Sequence, residues 1–368
     1  MARSRYFVIT PEGTLDRAKT LTDALARRKA GGFIWLDLAN PSAETLGALV
    51  KPLKLHPLAI EDCLDEDQVP KMEEFPGHTF ILFNRYLYAD ESTTVEEVNF
   101  FLGEGLLVSV HSHGREDVSF AERLEAVVRR DLEQVRRGPD FLLQLLLDDI
   151  VDEKFEAIEA LQDRLDVIEE ELLRSVTEFR PARLIHLRRA LLRLRKSLVY
   201  EREVLVKMCR RDSPFITADA IYDFRDIYDH LAKFFEVIEI CRELVASIIE
   251  IHLSMVNNQI TMAANKTNFV VRRLTLITTV FMPLTLLAGI GGMSEWSMIT
   301  GPHNWRIAYP LFMALMAAIA AVNYLVLRWA DSRDPTDVPL YPSSEPSGEE
   351  AASDAAQGRG AAAPDRGE

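Results

Sequence analysis

Cysteine is scarce in this chain of 368 residues. The three present, Cys63, Cys209 and Cys241, are widely separated and odd in number. That excludes a disulfide framework and a Cys-x-x-Cys metal site, and it fits a reducing compartment. Basic charge is also in deficit: 42 Lys and Arg against 57 Asp and Glu leave a net charge of −15. Phosphate binding needs a basic surface, so no nucleic-acid partner is expected, while cations and basic partners fit. The chain lacks a Walker loop, a nucleophile elbow, a glycine-rich dinucleotide loop and an HExxH helix, which argues against an enzyme. Residues 1–10 lack an apolar h-region, so no cleavable signal peptide is expected. Mean hydropathy is near zero, which excludes a chain made mostly of membrane spans.

Charge is missing altogether from two long stretches, residues 274–293 and 307–327. Each has about the twenty apolar residues that cross a hydrocarbon core of roughly 30 Å. A buried hairpin of a soluble domain is the competing reading. Arg272 and Arg273 precede the first stretch, and Arg328 and Arg333 follow the second. The loop between holds only Arg306 and Glu295 as charges, so the positive-inside rule places both termini in the cytoplasm. Trp296, Trp305, Tyr309, Tyr324 and Trp329 sit near the span ends, as interfacial aromatics do.

The remainder divides by pattern. Residues 1–117 read as an α/β module, with strands at 32–38, 78–88, 98–101 and 106–110 and helices near 17–30, 43–51 and 57–64. Gly103-Glu104-Gly105 marks a hairpin between the last two strands. Residues 118–213 read as a helical hairpin. Its first arm carries an acidic stripe (Asp148, Asp152, Glu156, Glu159, Asp163, Asp166, Glu170), and its second, opened by Pro181, is rich in arginine. The stripe is either a loose cation surface or a solvated face partly neutralised by its basic neighbour.

Glycine and proline are absent from residues 215–282. One helix could run unbroken over that stretch for roughly 100 Å, from a stalk at 214–273 into the first span at 274–293. Leu231, Ile238 and Val245 occupy one heptad position, and Phe234, Cys241, Ile248, Met255 and Met262 the other. That seam implies packing against copies of the chain or against neighbouring helices. A loop at 294–306 and a second span at 307–327 follow, and the Pro-, Ser- and acid-rich tail at 334–368 has no expected core.

Small polar residues recur on one face of the first span: Asn268, Thr275, Thr278, Met282, Thr285 and Gly289. Such threonines either bond back to their own helix or form a pore wall for hydrated cations. Met282 is a candidate apolar constriction, and Pro283 frees a carbonyl. Two spans cannot enclose a pore, so the second reading requires an oligomer.

The run 274–290, preceded by Asn265-Lys266-Thr267-Asn268 and followed by a short loop and Trp305, resembles the CorA family of divalent cation transporters. His56-Pro57-Leu58-Ala59-Ile60-Glu61-Asp62 looks like its HPL-x-x-ED segment, Gln68-Val69-Pro70-Lys71 like its QRPK, and residues 224–230 (FRDIYDH) like its FRDVYDH. The resemblance covers about residues 30–330. It implies an α+β membrane protein: an N-terminal α/β cytosolic domain, a long helical stalk and two C-terminal transmembrane helices, assembled as a funnel-shaped homopentamer in the inner membrane. It also implies a pore lined by Asn268, Val271, Leu274, Thr278, Met282 and Thr285, and regulatory Mg²⁺ bound by Glu61, Asp62 and Asp226 between subunits.

The outer mouth departs from the family. Gly292-Met293-Ser294 stands where Gly-Met-Asn is usual, Gly291 stands where an aromatic is usual, and Met298-Ile299-Thr300 replaces Met-Pro-Glu. Serine presents a shorter hydroxyl than the Asn carbonyl, and Glu295 offers a different acidic attraction. A ZntB-like branch also lacks Gly-Met-Asn and handles zinc. Mg²⁺, with Co²⁺ and Ni²⁺, is the leading cargo because the first span holds no His or Cys ligand for Zn²⁺. A membrane-tethered coiled-coil scaffold without transport is the remaining alternative.

Overall fold

The computed structural model describes residues 3–29, 31–65, 68–89, 92–111, 118–175, 179–292, 301 and 304–331. It separates into two compact units, Met1–Asn258 and Gln259–Glu368.

In the first unit, β1 (Arg3–Ile9), β2 (Leu15–Ala18), β3 (Phe33–Ala39), β4 (Lys71–Phe75), β5 (His78–Ala89), β6 (Ser92–Gly103) and β7 (Leu106–His111) form one sheet in the order β2-β1-β3-β7-β6-β5-β4. The β3–β7 pair at its centre is parallel and every other pair is antiparallel. Every residue of β7, and all but the last of β3, is buried, as a central strand covered on both faces requires. The turn from β6 to β7 needs only Glu104 and Gly105, the latter at φ +60°. Arg28 closes it by donating to the Glu104 carbonyl.

One face of the sheet packs Ile34, Leu36, Phe80, Phe101 and Val108 under three short helices. These are α1 (Leu21–Arg28), α2 (Ala43–Leu53) and α3 (Pro57–Asp62). Each starts at a side-chain cap: Thr20, Ser42 and His56 accept from the backbone of Asp23, Thr45 and Leu58. Pro57 fixes the first turn of α3.

The opposite face packs Trp35, Ile81, Phe83, Phe100 and Leu107 into the larger core. Above it lie α4 (Val118–Arg130), α5 (Leu132–Val135), α6 (Pro139–Arg174), α7 (Pro181–Cys209) and the first part of α8 (Ala220–Gly291). Helices α6 and α7 are antiparallel, since Glu171 pairs with Arg183 at 2.9 Å near their junction and Lys154 with Glu201 at 2.6 Å farther away. The Lys154–Glu201 pair is wholly buried, and Glu201 also accepts from Ser197 Oγ and the Asn84 backbone. Burial lowers the Lys154 pKa from its ordinary value, with Glu201 opposing. Arg85 of β5 spans Glu96 and Glu153, and Arg123 of α4 joins the same Glu153, tying the sheet to α4 and α6.

The heptad seam finds its partner within the chain. Leu231, Ile238, Cys241, Val245 and Ile248 are buried in the same core as Leu165 and Ile168 of α6 and Leu191 and Leu198 of α7. The ring stack Phe155–Phe234 and the ion pair Arg195–Glu239 join the three helices. Between the two partners that the heptads allowed, the neighbouring helices take the seam down to Ile248. Asp152, Glu156, Glu159, Asp163, Asp166 and Glu170 are exposed. The ion pairs from α6 to α7 among the described residues use Lys154 and Glu171, neither of them in that stripe.

In the second unit, α8 continues through Pro283 to Gly291 without interruption, and α9 (Trp305–Asp331) follows. Both contain windows long and apolar enough to cross a membrane. The tail at 334–368 and most of the 294–306 loop lie outside the described residues.

Candidate pore helix and regulatory carboxylates

In the membrane-length part of α8, coverage falls on one side. Leu276, Val280, Pro283, Leu284, Leu287 and Gly291 are half-buried, and on α9 so are Ala308, Phe312, Met316, Ile319 and Ala320. Both sets repeat at three to four residues, which places each along one face of its helix. At their end the helices touch closely: a Cβ added to Gly291 would lie 2.7 Å from Phe312 Cζ. The space that an aromatic at 291 would enter is thus taken by the Phe312 ring.

The candidate pore residues lie on the other side. Asn268, Val271, Leu274, Thr278, Met282 and Thr285 are all exposed, Met282 by 74%. Thr278, Met282, Thr285 and Gly289 share a shallow hollow with Phe281 and Leu286. The threonines bond to their own helix: Thr275 to the Val271 carbonyl at 2.9 Å, Thr278 to Leu274 at 3.0 Å and Thr285 to Phe281 at 2.8 Å. Gly292 is the last described residue of the outer-mouth motif; Met293, Ser294 and Glu295 lie outside the described residues.

The carboxylates of the first unit sit on two elements. Glu61 and Asp62 close α3, Glu61 exposed and Asp62 half-buried. Lys71 Nζ lies 2.8 Å from Asp62 Oδ2, and Gln68 Nε2 donates to Asp62 Oδ1 at 3.2 Å. The Gln68-Val69-Pro70-Lys71 segment therefore folds back onto the Glu61-Asp62 pair. Burial works against the Lys71 ammonium, but Asp62 and Glu73 outweigh it and raise its pKa. Burial, with Asp62 beside it, pushes the neighbouring Cys63 thiol far up.

Asp226 is exposed on α8, near Asp148 of α6 rather than paired with Asp62. Burial first, and then Asp152, push the Asp148 carboxyl up to about 6; Asp226 adds to this and His230 opposes it. Sequence reading placed Asp148 in the acidic stripe but missed that it alone of the stripe is half-buried and faces α8. The i, i+4 spacing of Asp148 and Asp152 was the available signal. Among the described residues no three acidic, His or Cys side chains converge closely enough to hold a metal ion. Within one chain, no hydrogen bond or ion pair among the described residues joins Glu61 or Asp62 to Asp226.

A mixed α/β domain, a long helical hairpin and two membrane-length C-terminal helices define a membrane protein with a large soluble portion. The family model described as CorA-like Mg²⁺ transporter protein matches residues 30–328, and the chain belongs to that family of metal-ion transporters. It is 34% identical over 271 residues to the cobalt/magnesium transport protein CorA of Thermotoga maritima, covering 73% of this chain and 74% of that protein. The complete structure of the CorA magnesium transporter from Methanocaldococcus jannaschii shares the fold, with a TM-score of 0.65, 24% identity, and coverage of 88% of this chain and 97% of that one. The ZntB cytoplasmic domain from Vibrio parahaemolyticus shares the fold at 11% identity and a TM-score of 0.54, covering 69% of this chain and 98% of that one.

Proposed function

We propose that this chain is a divalent-cation channel that carries Mg²⁺, with Co²⁺ and Ni²⁺ as further cargo, across the inner membrane. The observation that carries the reading is the open face of α8. Its threonine and methionine positions are those left uncovered by α9, so other copies of the chain are free to complete a ring around them. A homopentamer, with both termini cytoplasmic, agrees with the family resemblance and with the arginine flanks at 272–273 and 328. Uncharged oxygens suit a cation that keeps its waters, as Mg²⁺ does. The name of the Thermotoga relative supports Mg²⁺ and Co²⁺. Zinc is the second reading, favoured by Ser294 in place of the usual Asn. Regulation is assigned to Mg²⁺ held by Glu61 and Asp62 of one subunit and Asp226 of the next. Carboxylates brought close repel, and the ion replaces repulsion with attraction and holds the ring closed.

Flux into liposomes, measured for Mg²⁺, Co²⁺, Ni²⁺ and Zn²⁺ with and without a proton gradient, tests the proposal. Mg²⁺ flux independent of the gradient is expected. Zn²⁺ flux without Mg²⁺ flux transfers the assignment to the zinc reading, and no flux of any ion supports the scaffold. A detergent-solubilised mass of one or two chains refutes the ring.

A further inference from the structure

The first unit contains a second feature that ion passage does not use. A cleft of about 540 Å³ lies between α6, α7 and the adjoining ends of β5 and β6. In a chain of net charge −15, its walls are basic. His186, Arg189 and Arg193 line it from α7, with Arg164 opposite on α6. The spacing 186, 189 and 193 keeps the three on one side of α7.

Compensation of this charge is incomplete. Arg183, also in the wall, is held by Glu171 at 2.9 Å. Arg189 and Arg193 make no ion pair among the described residues, although they lie one turn apart on the same helix. Two neighbouring guanidiniums repel, and an anion between them turns that repulsion into attraction. Guanidinium forks fit phosphate oxygens two at a time. The Tyr86 hydroxyl donates to the Arg193 carbonyl at 2.8 Å and fixes this turn of α7 against β5. On the third wall the Thr93 hydroxyl oxygen is buried with no hydrogen-bond partner among the described residues, a donor available to an incoming oxygen.

The rest of the lining is apolar. Ile168, Leu187 and Tyr88 supply a floor that inorganic phosphate would not cover. The volume lies within the range of roughly 300–1,000 Å³ typical of organic-ligand sites. The enclosure on three sides suits one compact ligand rather than a nucleic-acid strand.

We propose that this cleft binds a nucleoside polyphosphate, its phosphates on Arg189, Arg193 and Thr93 and its flat base against Tyr88. Bound there it would bridge α6, α7 and the sheet, giving the soluble unit a second ligand besides divalent cations. The inference does not depend on which cation is carried.

Equilibrium binding of ATP to the purified full-length protein in metal-free buffer tests it, with pyrophosphate, adenosine and vesicles of phosphatidylglycerol as comparison probes. Saturable ATP binding is expected, displaced by pyrophosphate and far less by adenosine. Arg189→Gln with Arg193→Gln should weaken it at least tenfold, while Arg189→Lys with Arg193→Lys retains part of it. Tyr88→Leu should weaken ATP more than pyrophosphate, which separates a base-stacking role from general damage to the fold. Absence of saturable ATP binding, ATP binding indifferent to the arginine substitutions, or arginine-dependent binding of the vesicles alone each overturns the proposal.

Discussion

Replacing Lys71 with alanine perturbs the carboxylate on which the regulatory proposal depends. Lys71 Nζ lies 2.8 Å from Asp62 Oδ2, with the two side chains 24% and 23% exposed. Gln68 occupies the other oxygen. A divalent ion shared with the neighbouring subunit's Asp226 must therefore compete with an ammonium already in place. A partly exposed pair of this kind contributes about 0.2–1 kcal/mol. Removing it frees Asp62 by the same amount, which corresponds to roughly 1.4- to 5-fold tighter binding of the ion. Glu73, 3.5 Å from Lys71 on its other side, also loses a counter-charge and acts in the same direction. The assay is protease digestion of α8 in the full-length protein over a range of Mg²⁺ concentrations. Lys71→Ala should lower the half-protecting concentration by that factor, and the difference should shrink as salt is raised. Asp62→Ala should raise the midpoint or abolish protection. A midpoint unchanged or raised in Lys71→Ala, alongside a shifted Asp62→Ala, refutes the competition; a midpoint unchanged in both removes Asp62 from the site.

Glu201→Gln should leave the wholly buried Lys154 without its anion and cost about 3–5 kcal/mol, whereas Lys154→Met with Glu201→Leu should cost much less. Melting temperature reads both, and because the folded state depresses the Lys154 pKa, the single variant should recover stability as pH rises toward the ordinary lysine value. Burial, and then nearby His56, lower the His78 pKa to about 4, so the unfolded chain binds the extra proton between about pH 4 and 6.5 and stability falls as pH falls through that window. The loss at pH 5 should be about 2 kcal/mol, and His78→Phe should flatten the melting temperature over that range relative to the parent. If Met282 forms the proposed apolar constriction, Met282→Ser should raise cation flux by wetting it, and unchanged flux in a correctly assembled variant removes Met282 from the gate.

The central strands β3 and β7 were legible in the sequence because strands buried on both faces read as near-continuous apolar runs, here each opened by a glycine. Strands β1, β2 and β4 were not, because they lie at or near the sheet edges and their sequences mix charge into the apolar pattern: Arg3 and Arg5 in β1, Asp16 and Arg17 in β2, Lys71 and Glu73 in β4. The long α8 was visible from its lack of glycine and proline, and its heptads were real, but periodicity does not name the partner. Leu231 through Ile248 turned out to be covered by α6 and α7, so this part of the seam cannot also hold copies of the chain together. Pro283 removes one backbone donor, and the helix runs on through it to Gly291. Both segments that meet at Asp62 and Lys71 were recognised as motifs; their contact was not, since it depends on how the chain reverses between α3 and β4.

The back-bonded threonines of α8 have a consequence for what that face can offer a passing solute. A hydroxyl has one hydrogen, and at Thr275, Thr278 and Thr285 the helix carbonyls take it. What remains directed outward is lone pairs alone. Water lying against such a face must point its hydrogens at the wall, which turns its oxygen inward, the orientation it has around a cation and the reverse of the one it has around an anion. The stripe would thus select the sign of charge through the orientation of its water, with no formal charge on the wall to trap the ion that it admits.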